Sequence, residues 1–303
     1  MAVYVVGDFL RETRMRKGYT QEEVSYGICT AASLSRIENG EQKPGRLIME
    51  KLFERLGTEN NLFNSFVSRE EMELYSAIQE LIRNVTDAEI DKIYKQILIV
   101  EKLTENTSDL ERQCLLFAKG ELIKRKEKDY STAIEWLMKA IHITLPDFDG
   151  ENPLRNNLLT FDEIMIINGI AILHAKSGNV MTAIQLDMWL KEYMEDKIVD
   201  GTMKKAKYPM IIYNLSNWFG NKQCHTEALK LADEGINFCV KYGNLVILPS
   251  LILNKGVALV ELGDIDDARK YLHQAITIFD VMKKEETIQS VLDWCKTRYN
   301  LEI

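Results

Sequence analysis

Four stretches of the sequence repeat one pattern, and this pattern restricts most of the chain to pairs of packed helices. The stretches read KDYSTAIEWLMKAI, GNVMTAIQLDMWL, KQCHTEALKLADEGI and GDIDDARKYLHQAI. An alanine has the same place in each of them: Ala133, Ala183, Ala228 and Ala268. The preceding helices carry a small residue where two helices must approach closely, at Gly120, Ala171, Ser216 and Gly256. Neither helix of such a pair buries its apolar face alone, so the pattern predicts stacked pairs.

This pattern is similar to the tetratricopeptide repeat (TPR), whose helix pairs stack into a right-handed α-solenoid with a concave groove. The aligned alanines are 50, 45 and 40 residues apart, so the pairs or their loops are longer than in the 34-residue repeat. Residues 144–153 are predicted to form one such loop, residues 70–106 a degenerate first pair and residues 284–300 a capping helix. Only 5 Pro and 16 Gly occur in 303 residues, which also favours an all-α protein. An irregular helical bundle is the alternative interpretation.

Glycines divide residues 6–57 into four short helices. Thr20 and Glu23 are spaced as a capping box, in which each side chain bonds a backbone N–H of the same first turn. Thr30 is a predicted N-cap, and Gly40 is a predicted helix stop. Apolar residues recur at helical spacing and are predicted to share one small core: Val6, Leu10, Val24, Ile28, Leu34, Ile37, Leu52 and Leu56.

The second and third of these helices are joined by a tight turn, GIC, and the third ends at ENG, which is the order of a helix-turn-helix unit. The outward positions of the third helix are small or hydrogen-bonding, namely Ala31, Ala32, Ser35 and Arg36. Such a helix fits the major groove, and an arginine reaches guanine edges there. A structural salt bridge is the alternative role for Arg36.

TQEEVSYGICTAASLSRIENGEQKP, residues 20–44, resembles the phage-repressor (Xre-type) helix-turn-helix, which is a five-helix domain. The resemblance implies that Gln21 binds a phosphate, that the third helix faces bases, and that Asn39 and Lys43 contact the DNA backbone. It also implies a structural ion pair between Arg14 and Glu38. The implied DNA-contacting residues are Gln21, Thr30, Ala31, Ala32, Ser35, Arg36, Asn39 and Lys43.

Charge is distributed unevenly along the chain. Residues 1–57 contain 9 Lys and Arg and 8 Asp and Glu, a net charge of +1, and the remainder carries a net charge of -9. An acidic surface is repelled by phosphate, so only the N-terminal segment is suited to contact nucleic acid.

Asparagines recur in the first helices of three repeats, which read IMIINGIAIL, MIIYNLSNWF and SLILNKGVAL. These are Asn168, Asn214 and Asn254, and Asn217 lies one turn beyond Asn214. An asparagine amide offers a donor and an acceptor, so several along a groove can bind the backbone of an extended peptide. Alternatively, each asparagine bonds a neighbouring helix end or faces water.

Several function classes lack support in the sequence. The four His are isolated, no two of the five Cys form a CxxC pair, and no Gly-rich phosphate loop or nucleophile elbow occurs. We therefore expect no enzyme activity, cofactor or metal. No secretory signal is visible, and the most apolar run, IMIINGIAILHA, is shorter than the roughly 20 residues of a membrane span. These features predict a soluble, cytoplasmic protein with no membrane contact.

An Xre-type domain followed by an acidic repeat domain resembles the RRNPP family of peptide-responsive quorum-sensing regulators (Rgg, PlcR, NprR and PrgX types). The resemblance implies DNA binding by residues 1–67, and peptide binding and dimerisation by residues 68–303. It implies a homodimer that reads an inverted repeat, with a short signalling peptide on Asn168, Asn214, Asn254 and, more weakly, Asn217. Two alternatives stay open: a ligand-independent dimeric repressor whose repeats only dimerise or bind a protein partner, and a protein whose repeats sequester another regulator or a phosphatase partner.

Overall fold

The computed structural model of the protein describes residues 6–58, 69–85, 88–104, 108–154, 158–196 and 201–301. These ranges contain 15 α-helices and no strand. The chain forms two compact units, Met1–Gly201 and Thr202–Ile303. The first unit contains the N-terminal helices and the first repeats, and the second contains the later repeats.

The N-terminal part of the first unit is a small helical domain, here called the head, with a single apolar core. Its helices are α1 (Val6–Lys17), α2 (Gln21–Ser25), α3 (Ala31–Glu38) and α4 (Arg46–Arg55). Thr20 and Glu23 form the expected capping box, and the Thr30 side chain caps α3 by accepting from the backbone N–H of Ser33 at 3.1 Å. The predicted core residues are buried, except that Val6 is half-buried at its edge.

Three helix pairs follow in the first unit: α5 (Arg69–Asn84) with α6 (Ile90–Leu103), α7 (Asp109–Lys126) with α8 (Tyr130–Ile141), and α9 (Phe161–Lys176) with α10 (Val180–Asp196). Ala133 and Ala183 are buried in the second helix of their pairs. A Cβ at Gly120 would lie 2.2 Å from the end of the Leu137 side chain, so glycine allows α7 and α8 to approach closely without moving this leucine.

The second unit continues the pattern with α11 (Gly201–Asn221), α12 (His225–Tyr242), α13 (Leu248–Leu262), α14 (Ile265–Val281) and the capping helix α15 (Glu285–Tyr299). Ser216 Oγ donates to the backbone oxygen of Ala228 at 2.9 Å. A Cβ at Gly256 would lie 2.8 Å from the Leu272 side chain. Gly120, Ser216 and Gly256 therefore lie at close contacts between paired helices, as the sequence predicts, and Ala171 is buried.

Helix α11 contains Pro209, which has no N–H to donate to the carbonyl of Lys205 one turn earlier. Asn244, in the turn after α12, replaces that donor: its Nδ2 donates to the Lys205 oxygen at 3.0 Å. The proline therefore leaves no unsatisfied carbonyl at this position.

The fifth helix predicted for the N-terminal domain is not present within residues 6–58, and the predicted domain boundary between residues 67 and 68 lies outside the described residues. No helix in the described ranges is both long enough and apolar enough to cross a bilayer.

Candidate functional site: the third helix and the repeat cavity

Helix α3 presents a polar outer face and buries its apolar face. Leu34 and Ile37 are buried in the head core, while Ala32, Arg36 and Asn39 are exposed. Within the described residues Arg36 forms no salt bridge, and its Nε lies 3.4 Å from the Ala32 carbonyl oxygen of the same helix. The alternative role of Arg36 in a structural salt bridge therefore lacks a carboxylate partner among the described residues, and the guanidinium is available to a ligand.

The remaining predicted DNA-contacting residues surround this face. Thr30 and Lys43 are exposed at the two ends of the face, whereas Ala31 and Ser35 are half-buried along it. The N-terminus of α3, which carries a partial positive charge, contributes backbone N–H groups at the same edge. This combination suits a phosphate backbone flanking base edges in a groove.

Glu38 organises the three helices around this face. Its buried carboxylate accepts from Arg14 Nε at 2.7 Å and from Arg14 Nη2 at 2.9 Å, which is the implied ion pair between α1 and α3. Gln21 Nε2, at the start of α2, donates to the same carboxylate at 2.7 Å. Gln21, whose role at a phosphate remains a prediction, therefore uses one amide hydrogen inside the head and retains another.

The second unit contains a cavity of about 740 Å³ between α11, the start of α12, α13 and α15. Asn217 and Asn254 line it, together with apolar side chains such as Val257 and Trp294. Asn254 Nδ2 lies 3.4 Å from the Tyr213 carbonyl oxygen, and Asn217 Oδ1 accepts from Asn221 Nδ2 at 3.0 Å. The cavity thus combines side-chain amides with an aromatic wall, a mixture that suits a small ligand with both polar and apolar parts.

Glu261 anchors the polar end of this cavity. Its Oε1 accepts from Arg298 Nη2 at 3.0 Å and from the Tyr299 hydroxyl, and His225 Nε2 lies 3.9 Å from Oε2. Burial, followed by the hydrogen bond to Glu261, raises the pKa of Tyr299, so this phenol stays protonated as a donor. The capping helix therefore supplies one wall and part of the charged end of the cavity.

The four predicted peptide-binding asparagines do not share one environment. Asn168 is buried in the first unit, where its Nδ2 lies 3.0 Å from both carboxylate oxygens of the buried Asp187. Asn214 is buried in α11 and is not among the residues that line the cavity. Asp187 lies four residues after the repeat alanine Ala183, at a position where the other repeats have leucine or alanine. The Asn168 amide is bonded to this carboxylate and is therefore not free for a peptide.

Sequence reasoning missed the residues that complete the cavity, chiefly His225, Glu261, Trp294, Arg298 and Tyr299. The recurring small residues indicated the helix pairs, but nothing in the pattern marked which face of the capping helix would close a cavity. Among the described residues, no group of three or more His, Cys, Asp or Glu is placed to hold a metal ion.

Comparisons with known proteins agree with this architecture. A family model described as a helix-turn-helix domain matches residues 5–65, and a tetratricopeptide repeat model matches residues 249–279. The HTH-type transcriptional regulator YqaF of Bacillus subtilis (strain 168) is 37% identical over 67 residues, which are 20% of this chain and 83% of that protein. The chain belongs to the HTH-type transcriptional regulators. This family consists of DNA-binding regulators and not of enzymes, in agreement with the sequence-based expectation.

The fold of the whole regulator is similar to two crystal structures of Bacillus thuringiensis PlcR. One is a complex of PlcR with the peptide PapR7 and DNA, with a TM-score of 0.62 and 19% identity, covering 95% of this chain and 99% of PlcR. The other is the apo form, with a TM-score of 0.60 and 18% identity, covering 95% of this chain and 98% of PlcR. The all-α architecture of a helix-turn-helix followed by TPR-like repeats, which the Xre-type and TPR-like sequence patterns predicted, is confirmed.

Proposed function

We propose that this regulator is a cytoplasmic homodimer that binds an inverted-repeat operator and responds to a short signalling peptide. The DNA contacts are assigned to Gln21 and to the exposed face of α3 with Asn39 and Lys43. The peptide is assigned to the cavity of the second unit, and residues 1–67 and 68–303 are the proposed DNA-binding and regulatory domains. The observation that carries the proposal is the coexistence, in one chain, of an exposed recognition-type helix and a polar, aromatic-walled repeat cavity.

Three features support a peptide as the ligand. Asn217 and Asn254 offer amide groups to a peptide backbone, Trp294 and Val257 offer an apolar surface to a side chain, and the volume of about 740 Å³ suits several residues. PlcR, whose fold is similar, has been crystallised with both a peptide and DNA. A repeat domain that only dimerised or bound a protein partner would not need such an open cavity.

In a dimer, two heads that each contact DNA weakly would together bind one operator specifically. Helix α3 places two alanines on its DNA-facing side, so few direct base contacts are available to one head. Two recognition helices about 34 Å apart would read successive major grooves of an inverted repeat. A peptide that binds one arrangement of the repeats more tightly would shift the population of dimers towards that arrangement.

Fluorescence anisotropy with the full chain and a duplex from its own promoter tests DNA binding. Specific binding should weaken steeply as salt rises, because phosphate contacts release counterions. Binding that is absent at low salt with every promoter fragment would refute the proposal for the head.

Peptide binding is tested with pools of synthetic heptapeptides in which one position at a time is fixed, using as the signal the change in intrinsic tryptophan fluorescence, to which Trp294 of the cavity contributes. Asn254→Ala should weaken binding of the best pool by about tenfold, since an amide hydrogen bond is lost in a partly enclosed site. Asn237→Ala is the matched control, because Asn237 is exposed on α12 and does not line the cavity. Equal losses in the two variants, or no binding by any pool, would favour the protein-only role of the repeats.

A further inference from the structure

The apolar core of the head does not end at the head. Leu110 at the start of α7 and Leu158 just before α9 belong to the same buried cluster as the core residues of α1–α4. Both leucines come from the repeat part of the chain. The head therefore packs against the repeats of the first unit through shared core and not through a solvated surface.

Two ion pairs lie beside this shared core, where α4 meets the N-terminus of α9. Arg55 Nη2 donates to Glu163 Oε1 at 2.8 Å, and both side chains are fully buried. Arg55 Nη1 also donates to the carbonyl oxygen of Tyr26 in the head. Glu163 Oε2 accepts from the backbone N–H of Thr160 at 2.5 Å, in the capping box of α9. One buried pair thus links the helix-turn-helix backbone directly to a helix terminus in the repeats.

The second pair adds reciprocal contacts one turn earlier in α4. Lys51 Nζ lies 3.0 Å from Asp162 Oδ2 and donates to Glu54 Oε1 at 2.9 Å. Glu54 Oε2 accepts from the backbone N–H of Phe161 at 3.0 Å. Because α4 both donates to α9 and accepts from it, a small rotation of the head would break several bonds together.

A third contact involves the turn between α2 and α3. The Tyr26 hydroxyl donates to Asp147 Oδ2 at 2.8 Å, in the loop after α8. Gly27 has a positive φ of 67°, and a Cβ there would lie 2.1 Å from the Thr144 carbonyl oxygen. The turn of the helix-turn-helix is therefore in backbone contact with the repeats, while the outer face of α3 stays exposed.

We propose that these contacts form a rigid joint that fixes the orientation of the head on the repeats of the first unit, so that the repeats set the half-site spacing that the dimer accepts. The joint consists of Lys51, Glu54 and Arg55 of α4 against residues 160–163, with Tyr26 and Gly27 against residues 144–147. Separating the head would leave buried charges without partners, which opposes any swinging on a flexible tether. The joint residues act as positioning residues, since DNA is assigned to the exposed face of α3 with Gln21, Asn39 and Lys43.

This inference rests on the proposed reading of an inverted repeat by a dimer. The test uses the full chain and the duplex that it selects from a random library, with base pairs then inserted between the half-sites. An insertion of about 5 base pairs turns one half-site to the opposite face of the DNA. The affinity of a dimer with fixed heads should then fall on the order of 100-fold, because one head no longer reaches its half-site.

Gly27→Ala should uncouple each head from its repeats. The spacing penalty, which is the loss of affinity caused by the inserted base pairs, should then fall below about tenfold, as expected of heads on flexible tethers. Gly18→Ala is the matched control: Gly18 has a φ of 75°, but a Cβ there would meet nothing within 4 Å. The control carries similar backbone strain without the clash, so it should retain the wild-type penalty. The double variant Asp162→Asn with Glu163→Gln loosens the joint from the repeat side and leaves the head sequence intact.

Binding to a duplex with one half-site scrambled should be the same for all these chains, which shows that each head is folded. The inference is overturned if wild type tolerates the insertion, or if Gly27→Ala and the double variant both retain the wild-type penalty. Failure of the wild-type chain to select any duplex would instead refute the proposed function itself.

Discussion

Replacing Glu54 by glutamine tests the charge balance where α4 meets α9. Burial, the largest cause, raises the pKa of Glu54 from 4.5 to about 8; Lys51 opposes this rise, and Asp162 and Glu50 add to it. Between these two pH values the folded protein retains a proton that the unfolded chain has released. Stability should therefore fall as pH rises from about 4.5 to about 8, and it should change little from this source outside that window.

The magnitude follows from the two pKa values. At about 1.4 kcal/mol for each pH unit, the interval from 4.5 to about 8 corresponds to at most about 5 kcal/mol of lost stability. Glutamine has the shape of the protonated side chain and cannot ionise. The glutamine amide accepts only one of the two bonds that Lys51 and the Phe161 N–H give to Glu54, so the substitution carries a cost that does not depend on pH. Relative to wild type, Glu54→Gln should gain a few kcal/mol of stability between pH 4.5 and pH 9.

Urea unfolding at pH 4.5, 7 and 9, followed by far-ultraviolet circular dichroism, measures this difference. Glu41→Gln is the control, since Glu41 is exposed after α3, and its profile should run parallel to that of wild type. The reasoning is refuted if Glu54→Gln also runs parallel to wild type, or if it loses stability relative to wild type as pH rises. Either result would mean that Glu54 is a carboxylate in the folded protein throughout this range.

Three further substitutions have defined outcomes. Arg36→Ala should remove about 1–3 kcal/mol of preference for the selected duplex over a random one, measured by competition anisotropy, without changing the dimer mass; an unchanged preference would exclude base contact by this arginine. Glu38→Ala should destabilise the head by about 3–5 kcal/mol in urea unfolding, because Arg14 then has no carboxylate partner; a loss below 1 kcal/mol would make the pair dispensable. Gly256→Ala should cost about 1–3 kcal/mol by overpacking, since its Cβ would lie 2.8 Å from a leucine of α14. Gly201→Ala, whose Cβ would meet nothing within 4 Å, should be neutral, and equal effects of the two glycine variants would contradict the packing argument.

The helix pairs could be predicted from the sequence because their signals are local. A capping box joins residues three apart, and a helical face joins residues three or four apart, so Thr20 with Glu23 and the core of α3 follow from spacing alone. The aligned alanines likewise indicated the second helix of each pair before any contact was known. The ion pair of Arg14 with Glu38 came from the family resemblance, which carries long-range information that spacing lacks.

The candidate cavity was predicted only in part. Asn217 and Asn254 line it, whereas Asn168 is turned to a buried carboxylate and Asn214 is buried elsewhere in α11. Asn168, Asn214 and Asn254 occupy similar places in their helices and Asn217 lies one turn beyond Asn214, so periodicity could not show which of them would line a cavity. Their environments differ because Asp187 replaces an apolar residue in one repeat and because only the later repeats pack against the capping helix.

The sequence by itself determined where helices begin, end and pair, and which helix of the head carries an exposed polar face, because these properties depend on neighbours within a few residues. Tertiary structure alone decided the joint and the cavity. Arg55 and Glu163 are 108 residues apart, and nothing in the sequence distinguishes either of them from an ordinary charged residue on a helix surface. Their burial depends on how the head docks against the N-terminus of α9, and that docking arises from the summed packing of many side chains and not from any short motif.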